Sequence, residues 1–264
     1  LGLYYNNSDE QLDYAYPSLW YGNYGSQSNY QTERMAIYGE YGFGITDKLT
    51  ATAGLRVEDF NEDYSDSNAV MHNGSESLTN AEISLNYSLD NGTLYATLAG
   101  AQKPSGTNVA ASSQVGWMSP SFQTFMQNKL RFGSESLINK EVGYKGEFAS
   151  GKGLVRVAAF HTDRSNAQLE NWMWDNAAGL WIGYLDATSD ATTYGAELEL
   201  DYLATEQLRL AASFGVLRTN VDSIETFDLD QWGFVTKLNR EQAKSPEYSY
   251  SLSANYQFTD ALSG

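Results

Sequence analysis

The chain has 264 residues, of which 42% are hydrophobic, and a formal net charge of -17 at pH 7. The acidic excess argues against a nucleic-acid-binding protein, because there is no basic surface to neutralise phosphates. The mean hydropathy is -0.45, and no apolar run approaches the ~18 residues that a membrane helix needs. A helical membrane protein is therefore excluded, whereas a membrane β-barrel is not, since its strands alternate apolar and polar residues.

Aromatic residues are unusually frequent, with 19 Tyr, 11 Phe and 6 Trp, and cysteine is absent. Amphipathic rings concentrate where a protein crosses the membrane–water interface, and membrane barrels carry girdles of them. A closed barrel pairs all its strands and needs no disulfides. Composition thus favours a membrane barrel, with a Tyr-rich soluble β-sandwich as the alternative.

Alternation of apolar and polar residues begins clearly at Met35. From there to Thr46 the odd positions are mostly apolar, and the even positions are polar or small. This two-residue period predicts a strand with one apolar face. The pattern recurs at 49–58, 82–89, 93–102, 141–148, 155–159, 196–202, 208–216 and 248–258.

Short and long connections also alternate. We predict tight turns near 47–48, 90–92, 150–153, 204–206 and 259–261, and long polar segments near 6–31, 60–78, 103–136, 164–190 and 220–244. Outer-membrane barrels have short periplasmic turns and longer extracellular loops. The predicted fold class is therefore all-β: an antiparallel transmembrane β-barrel segment of about ten meandering strands.

Charged residues of the predicted strands fall on the polar faces. A Lys or Arg that faces lipid at mid-membrane costs about 2–4 kcal/mol, whereas a charge on a wet lumen costs little. We therefore predict that the polar faces point into the lumen. The predicted lumen-facing residues are Glu40, Arg56, Glu82, Glu141, Lys145, Glu197, Glu199 and Arg209.

Several segments, taken in order, resemble the barrel domain of TonB-dependent receptors, in particular iron-complex receptors of Gram-negative bacteria. They are 36–40, 46–56, 94–99 with Lys103-Pro104, 139–146, 194–200 and 245–250. The resemblance implies a barrel of ~22 strands with a plugged lumen. Residues 1–264 are then expected to be a partial barrel domain that lacks the plug, the segment that pairs with TonB and the closing strands.

The resemblance also implies a function. The whole protein would sit in outer-membrane lipid of a bacterium and import a scarce solute, by default an iron–siderophore complex, with energy supplied through TonB. Import of oligosaccharide or cobalamin is the alternative within this architecture. A passive porin, marked by a constricting loop folded into the pore, and a soluble β adhesin are alternatives of other classes.

Enzyme chemistry finds little support in the sequence. His72 and His161 are the only histidines and there is no cysteine. The sequence therefore has too few of the residues that form a nucleophile–base pair or a His-rich metal site. We expect no catalytic residue, metal or cofactor. The acidic run at 58–66 matches no closed Ca²⁺-loop spacing and is interpreted as a hydrated acidic loop.

Aromatic residues in the long loops are the candidate ligand contacts. Exposed rings on polar loops supply flat contact area at modest entropic cost. The alternative is membrane-interface anchoring or packing among the loops. The candidates are Trp117, Met118, Trp172, Trp174, Trp181 and Trp232, with Phe234 and, in the first loop, Trp20, Tyr21 and Tyr24.

Overall fold

The computed structural model describes residues 1–18, 22–228, 230–259 and 262–263. Strands dominate it. In chain order the elements are β1 Gly2–Ser18, β2 Gly22–Gly44, β3 Leu49–Asp66, β4 Met71–Leu89, β5 Gly92–Lys103, β6 Gly106–Thr107, α1 Val109–Gln114, a 3₁₀ turn Val115–Trp117, α2 Pro120–Met126, β7 Arg131–Phe132, β8 Glu135–Phe148, β9 Gly153–Ser165, β10 Leu169–Asp175, β11 Leu180–Asp186, β12 Ala191–Leu203, β13 Leu208–Asp228, β14 Gly233–Arg240, β15 Tyr248–Thr259 and β16 Leu262–Ser263. Neither described helix is long and apolar enough to span a membrane.

Ten long strands form one antiparallel meander in the order β1-β2-β3-β4-β5-β8-β9-β12-β13-β15. Each strand pairs with the next long strand along the chain, so the described part of the sheet contains no crossover. The short strand β14 pairs with the outer end of β13, from Val221 to Asp228, and β16 pairs with the end of β15. The prediction of about ten meandering antiparallel strands is confirmed.

Tight turns join the strands at one end of the sheet. In the β2–β3 turn, the Thr46 hydroxyl accepts hydrogen bonds from the backbone N–H of Lys48 at 3.3 Å and of Leu49 at 3.0 Å. Thr205 makes the same pair of bonds in the β12–β13 turn. The β8–β9 turn places Ala149 to Gly151 at positive φ. The turns predicted near 47–48, 90–92, 150–153 and 204–206 are confirmed, whereas residues 260 and 261 of the fifth lie outside the described part.

Cross-strand register carries one alternation through the whole sheet. Ile37 lies opposite Val57, Leu85 opposite Ala96, and Leu198 opposite Phe214. Large apolar side chains therefore share one face, which we call the apolar face, and many of them are exposed. Exposed members include Leu55, Ile83, Leu98, Val142, Val157, Phe214, Tyr250 and Leu252. A water-facing surface rarely presents so large a continuous apolar area.

Three segments predicted as polar loops, 6–31, 60–78 and 220–244, are largely strand in their described residues, and this part of the prediction is wrong. The β3–β4 hairpin continues to Asp66 and resumes at Met71. The alternation persists there, but a charged residue occupies one of the inner positions: Phe60, Glu62 and Tyr64 are buried between exposed neighbours. Apolar periodicity alone could not detect such a strand.

Candidate ligand-binding site

Three outer connections fold together into one body, which we call the outer cap. It comprises residues 104–134, residues 166–190 and the tip of the β13–β14 hairpin. Phe122 and Met126 of α2 and Ile182 of β11 are almost fully buried in a common hydrophobic cluster. Phe227 and Phe234 pack on Phe122 with ring centroids 5.1 and 5.2 Å away. The cap is therefore a small folded unit with its own core.

Asn108 ties two of the cap segments together. Its side-chain amide donates to the carbonyl oxygens of Lys129 at 2.7 Å and Leu185 at 2.8 Å, while its Oδ1 accepts from the Leu185 N–H at 2.7 Å. Asp175, fully buried, accepts the Ser119 N–H at 2.7 Å. Buried polar groups are costly unless paired. These bonds therefore fix how the cap segments meet.

Lys129 is a buried cation at the centre of the cap. Its Nζ lies 2.6 Å from Asp186 and 2.8 Å from Glu225. Burial lowers the pKa of its ammonium group, but the hydrogen bonds to the two carboxylates outweigh burial and hold the pKa above its ordinary value. Burial, followed by the same two carboxylates, raises the pKa of the nearby Tyr184 phenol far above its ordinary value. Lys129 therefore remains charged and links the cap to β13.

Glu135 anchors the base of the cap to the sheet. It is 1% exposed and receives two bonds from the Arg164 guanidinium, at 2.6 and 2.9 Å, across the β8–β9 pair. Its Oε2 also accepts the Gln168 N–H at 2.8 Å and lies 3.4 Å from Lys103 Nζ. Bidentate Arg–carboxylate pairs add geometric specificity. Both cap segments thus leave the sheet from one fixed point.

The β10–β11 hairpin has two unlike faces. Met173, Leu180 and Ile182 point into the cap core. The opposite face, which we call the tryptophan face, carries Trp172, Trp174 and Trp181.

The register explains this grouping. Trp174 lies opposite Trp181, with ring centroids 5.3 Å apart, and Trp172 lies opposite Gly183. Trp172 and Trp181 are each 60% exposed. A Cβ on Gly183 would lie 2.9 Å from the Trp172 ring, so the glycine lets that indole lie against the hairpin. Three of the ten candidates are therefore neighbours on one surface.

The other candidate contacts are dispersed. Met118 is 4% exposed in the cap core, so the prediction of an exposed contact is wrong there. Trp117 packs against the same core, and its ring lies 5.9 Å from that of Tyr14. Trp232, 67% exposed, is at positive φ in the β13–β14 turn. Phe234 belongs to the cap core. Trp20 and Tyr21 lie outside the described residues, as does the side chain of Tyr24.

The register places all eight predicted lumen-facing residues on the face opposite the apolar one. Several make cross-strand contacts there. Arg156 lies 3.0 Å from Glu199, and Tyr95 donates to Glu141 at 2.6 Å. Arg209 pairs with Asp201 at 2.6 Å, and the Lys145 ammonium lies 4.8 Å from the Tyr95 ring centroid. The face carrying Glu40, Arg56, Glu82, Glu141, Lys145, Glu197, Glu199 and Arg209 is thus a continuous polar surface.

The cap lies over this polar face, at the end of the sheet opposite the tight turns. Gln114 of α1 donates to the Tyr14 hydroxyl at 3.1 Å, and Arg131 pairs with Glu62 of β3. These positions lie beyond the apolar stretch of each strand, so the cap contacts the outer end of the sheet.

The acidic run at 58–66 is also not the hydrated loop that we predicted. Glu58 and Glu62 are buried, at 5% and 2% exposure. Glu58 pairs with Arg56 and Arg34, while Glu62 accepts from Tyr30 at 3.0 Å and pairs with Arg131. The cap supplies this last partner from far along the sequence, which the local sequence could not reveal. The described residues contain no group of three or more potential metal ligands.

Comparisons with known proteins agree with this architecture. The ferric yersiniabactin uptake receptor FyuA from Yersinia pestis superimposes with a TM-score of 0.73 at 21% identity, covering 99% of this chain and 37% of the receptor. The closed form of the ferric-catecholate import receptor Fiu from E. coli K12 gives 0.66 at 18% identity, covering 98% of this chain and 39% of that one. The copper transporter OprC gives 0.67 at 13% identity, covering 97% and 46%.

This chain therefore spans less than half the length of those three proteins. The comparison with curated protein sequences gives no significant match. A family model described as "TonB dependent receptor-like, beta-barrel" matches residues 1–264. This match confirms the predicted fold class and the outer-membrane location. The family is one of receptors, which confirms the prediction that the chain is not an enzyme. The chain belongs to the TonB-dependent receptor-like β-barrel family.

Proposed function

We propose that this chain is the ligand-capturing part of an outer-membrane importer, and that its outer cap binds an iron–siderophore complex through the tryptophan face. The observation that carries the proposal is the exposure of Trp172 and Trp181 on a hairpin whose other face is locked into a core. Large rings on a preorganised support are the usual anchors of binding surfaces. An organic iron chelator with aromatic or apolar groups could stack on them.

The polar face of the sheet would then form the wall of the lumen. Its ion pairs, such as Arg156–Glu199 with both side chains more than half exposed, suit a wet surface. The apolar face would contact lipid, where charges at mid-membrane are costly. In the whole protein, a plug domain and a TonB-pairing segment outside residues 1–264 would gate this path and supply the work. The barrel would act as a scaffold.

Binding to the native full-length receptor, measured by fluorescence quenching, tests the capture step. The probes are a panel of ferric siderophores, with cobalamin and an oligosaccharide as the alternative ligands. The double substitution Trp172→Ala and Trp181→Ala should weaken binding of the recognised complex by about tenfold to a hundredfold, since anchor residues typically contribute 2 kcal/mol or more. The matched control is Tyr250→Ala, which removes an 80%-exposed ring from the apolar face.

Growth under iron limitation provides the second readout. The double variant should need more of the ferric siderophore to reach the growth of the wild type, while Tyr250→Ala should not. Unchanged binding in the double variant would remove the tryptophan face from the capture site. Binding of cobalamin or oligosaccharide without any ferric complex would replace the proposed ligand class.

A further inference from the structure

The tryptophan face of the β10–β11 hairpin also carries a carboxylate. Glu170 lies two residues before Trp172 on β10, and residues two apart in a strand share one face. Its Oε1 accepts the indole N–H of Trp172 at 2.7 Å. The Glu170 side chain is exposed, and none of the ion pairs among the described residues includes it. A negative charge without a cationic partner in that part of the chain therefore lies beside the exposed rings.

The rings beside Glu170 are suited to contact a cation. Trp172 and Trp181 are each 60% exposed. The planes of Trp174 and Trp181 are inclined at 51°, so these two rings are not stacked flat on each other. A cation within about 6 Å of an indole centroid is attracted by the π-face of the ring. Because the Glu170 carboxylate is bonded to the Trp172 indole, a cation over that ring is attracted by the carboxylate as well.

The cap around this face has more carboxylates than cations. Residues 104–134 and 166–190 together contain the charged residues Lys129, Arg131, Glu170, Asp175, Asp186 and Asp190. Lys129 pairs with Asp186 and Glu225, and Arg131 pairs with Glu62. Neither cation is therefore available to an anionic ligand.

The third cap segment adds little positive charge near the face. Lys237 of β14 pairs with Asp228. Arg240 has no such partner among the described residues, but it lies at the base of the β13–β14 hairpin, opposite Val221, and not at the tip.

The polar face of the sheet has the same bias. Its arginines that pair with a carboxylate on that face include Arg56, Arg156 and Arg209. Its carboxylates without an ion pair among the described residues include Glu40, Glu82 and Glu197. A cleft lined by one sign of charge raises the local concentration of the opposite charge. Both the cap and the wall behind it therefore favour a cationic ligand over an anionic one.

From these observations we infer that the imported complex carries a positive charge, and that its cationic group lies on the tryptophan face beside Glu170. The inference rests on the proposed capture by this face and adds the charge class of the ligand. A ferric complex of three hydroxamates meets the condition when the chelator also bears an ammonium group, because three singly charged hydroxamates balance Fe³⁺. A ferric complex of three doubly charged catecholates is strongly anionic and does not meet it.

Ferrioxamine B, a linear ferric trihydroxamate with a terminal ammonium group, is the probe. Acetylation of its amine gives a neutral complex and succinylation an anionic one, while the metal-binding core is unchanged. Ferric enterobactin, a tris-catecholate, is the comparison with another chelating group. Binding to the full-length receptor in detergent is measured by isothermal titration calorimetry. The wild type should bind ferrioxamine B about tenfold more tightly than the acetylated complex, as expected for a cation–π contact beside a carboxylate.

The succinylated complex should bind most weakly of the three hydroxamates. Added salt should narrow these differences, because salt screens exposed charges.

Substitution of Glu170 tests whether the preference arises at this face. Glu170→Gln removes the charge but keeps an oxygen that can accept the Trp172 N–H. It should remove most of the preference for ferrioxamine B and leave binding of the acetylated complex unchanged, which also shows that the site is folded. Glu170→Asp keeps the charge and should keep the preference. The matched control is Glu206→Gln, which removes an exposed carboxylate from the tight β12–β13 turn and should change nothing.

Three results would overturn the inference while leaving the proposed function in place. They are equal or tighter binding of the neutral or anionic hydroxamates, recognition of ferric enterobactin alone, and a preference for ferrioxamine B that Glu170→Gln does not reduce. In each case the Trp172→Ala and Trp181→Ala double variant shows whether capture still depends on the tryptophan face. Failure of every ferric complex to bind would remove the proposed function and the inference together.

Discussion

The part of the sheet that carries the apolar face, which we call the membrane band, and the outer cap use apolar residues in opposite ways. In the band they point outward: Leu252 is 78% exposed and Val142 57% exposed. In the cap they point inward, and Met126 and Ile182 have no exposed surface. The sheet therefore presents its apolar side chains to lipid, whereas the cap buries its apolar side chains away from water.

This contrast shows where each region obtains its stability. The band depends on backbone pairing between long strands and on lipid outside, and many of its large apolar side chains are exposed. The cap depends on a few buried groups such as Phe122, Asn108 and Lys129. Mutations should therefore act locally and by different mechanisms in the two regions.

The largest effect is expected in the cap core. Phe122→Ala should destabilise the cap by about 3–5 kcal/mol, because it removes a buried ring that packs on Phe227 and Phe234. Hydrogen exchange should rise in residues 104–134 and 167–189, while β12 and β13 keep their protection. Phe214→Ala, which removes a 46%-exposed ring from the apolar face, is the control. Equal loss of protection in cap and sheet would contradict the view that the cap is a separate unit.

A smaller effect is expected for a charge placed in the band. Leu198→Arg puts a cation on the apolar face between Val157 and Phe214. It should cost about 2–4 kcal/mol in the free energy of folding into lipid vesicles, measured by urea titration. Glu197→Arg, one residue away on the polar face, should cost much less. Similar costs for the two substitutions would contradict the assignment of the apolar face to lipid and of the polar face to the lumen.

The smallest effect concerns Gly183 on the tryptophan face. Gly183→Ala should displace the Trp172 indole, because the new methyl group would lie 2.9 Å from the ring. Ligand binding should weaken several-fold while the folding stability falls by only about 1 kcal/mol. Gly133→Ala is the control, since its added Cβ would meet nothing within 4 Å. Unaltered binding in Gly183→Ala would show that the position of this indole does not matter for capture.

The sequence predicted the sheet well because local alternation and turn residues determine it. Runs such as Leu49 to Val57, and turns such as Thr46 to Leu49, contain their own signals. The outer end of the β3–β4 hairpin escaped prediction because the charged Glu62 occupies a buried position between Phe60 and Tyr64. Its partner Arg131 is 69 residues away in the chain.

The candidate site was predictable only in part. Trp172 and Trp174 share one face because of the strand period, which a correct strand assignment would have shown, and the register of the hairpin adds Trp181. Asn108 and Asp175 carry no sequence signal that distinguishes them from other loop residues, and their role comes from tertiary contacts alone. Glu170 was missed because we expected ligand contacts from large apolar side chains of the loops only.

The most direct test of the central claim is the environment of adjacent residues in two neighbouring strands, β12 and β13. Single cysteines at positions 197, 198, 213 and 214, in a background without other cysteines, can each carry an environment-sensitive fluorophore in the vesicle-inserted receptor. We expect quenching by lipid-borne quenchers at 198 and 214 and by aqueous iodide at 197 and 213. The reverse pattern, or aqueous quenching at all four positions, would contradict a barrel wall with lipid outside and a polar lumen within.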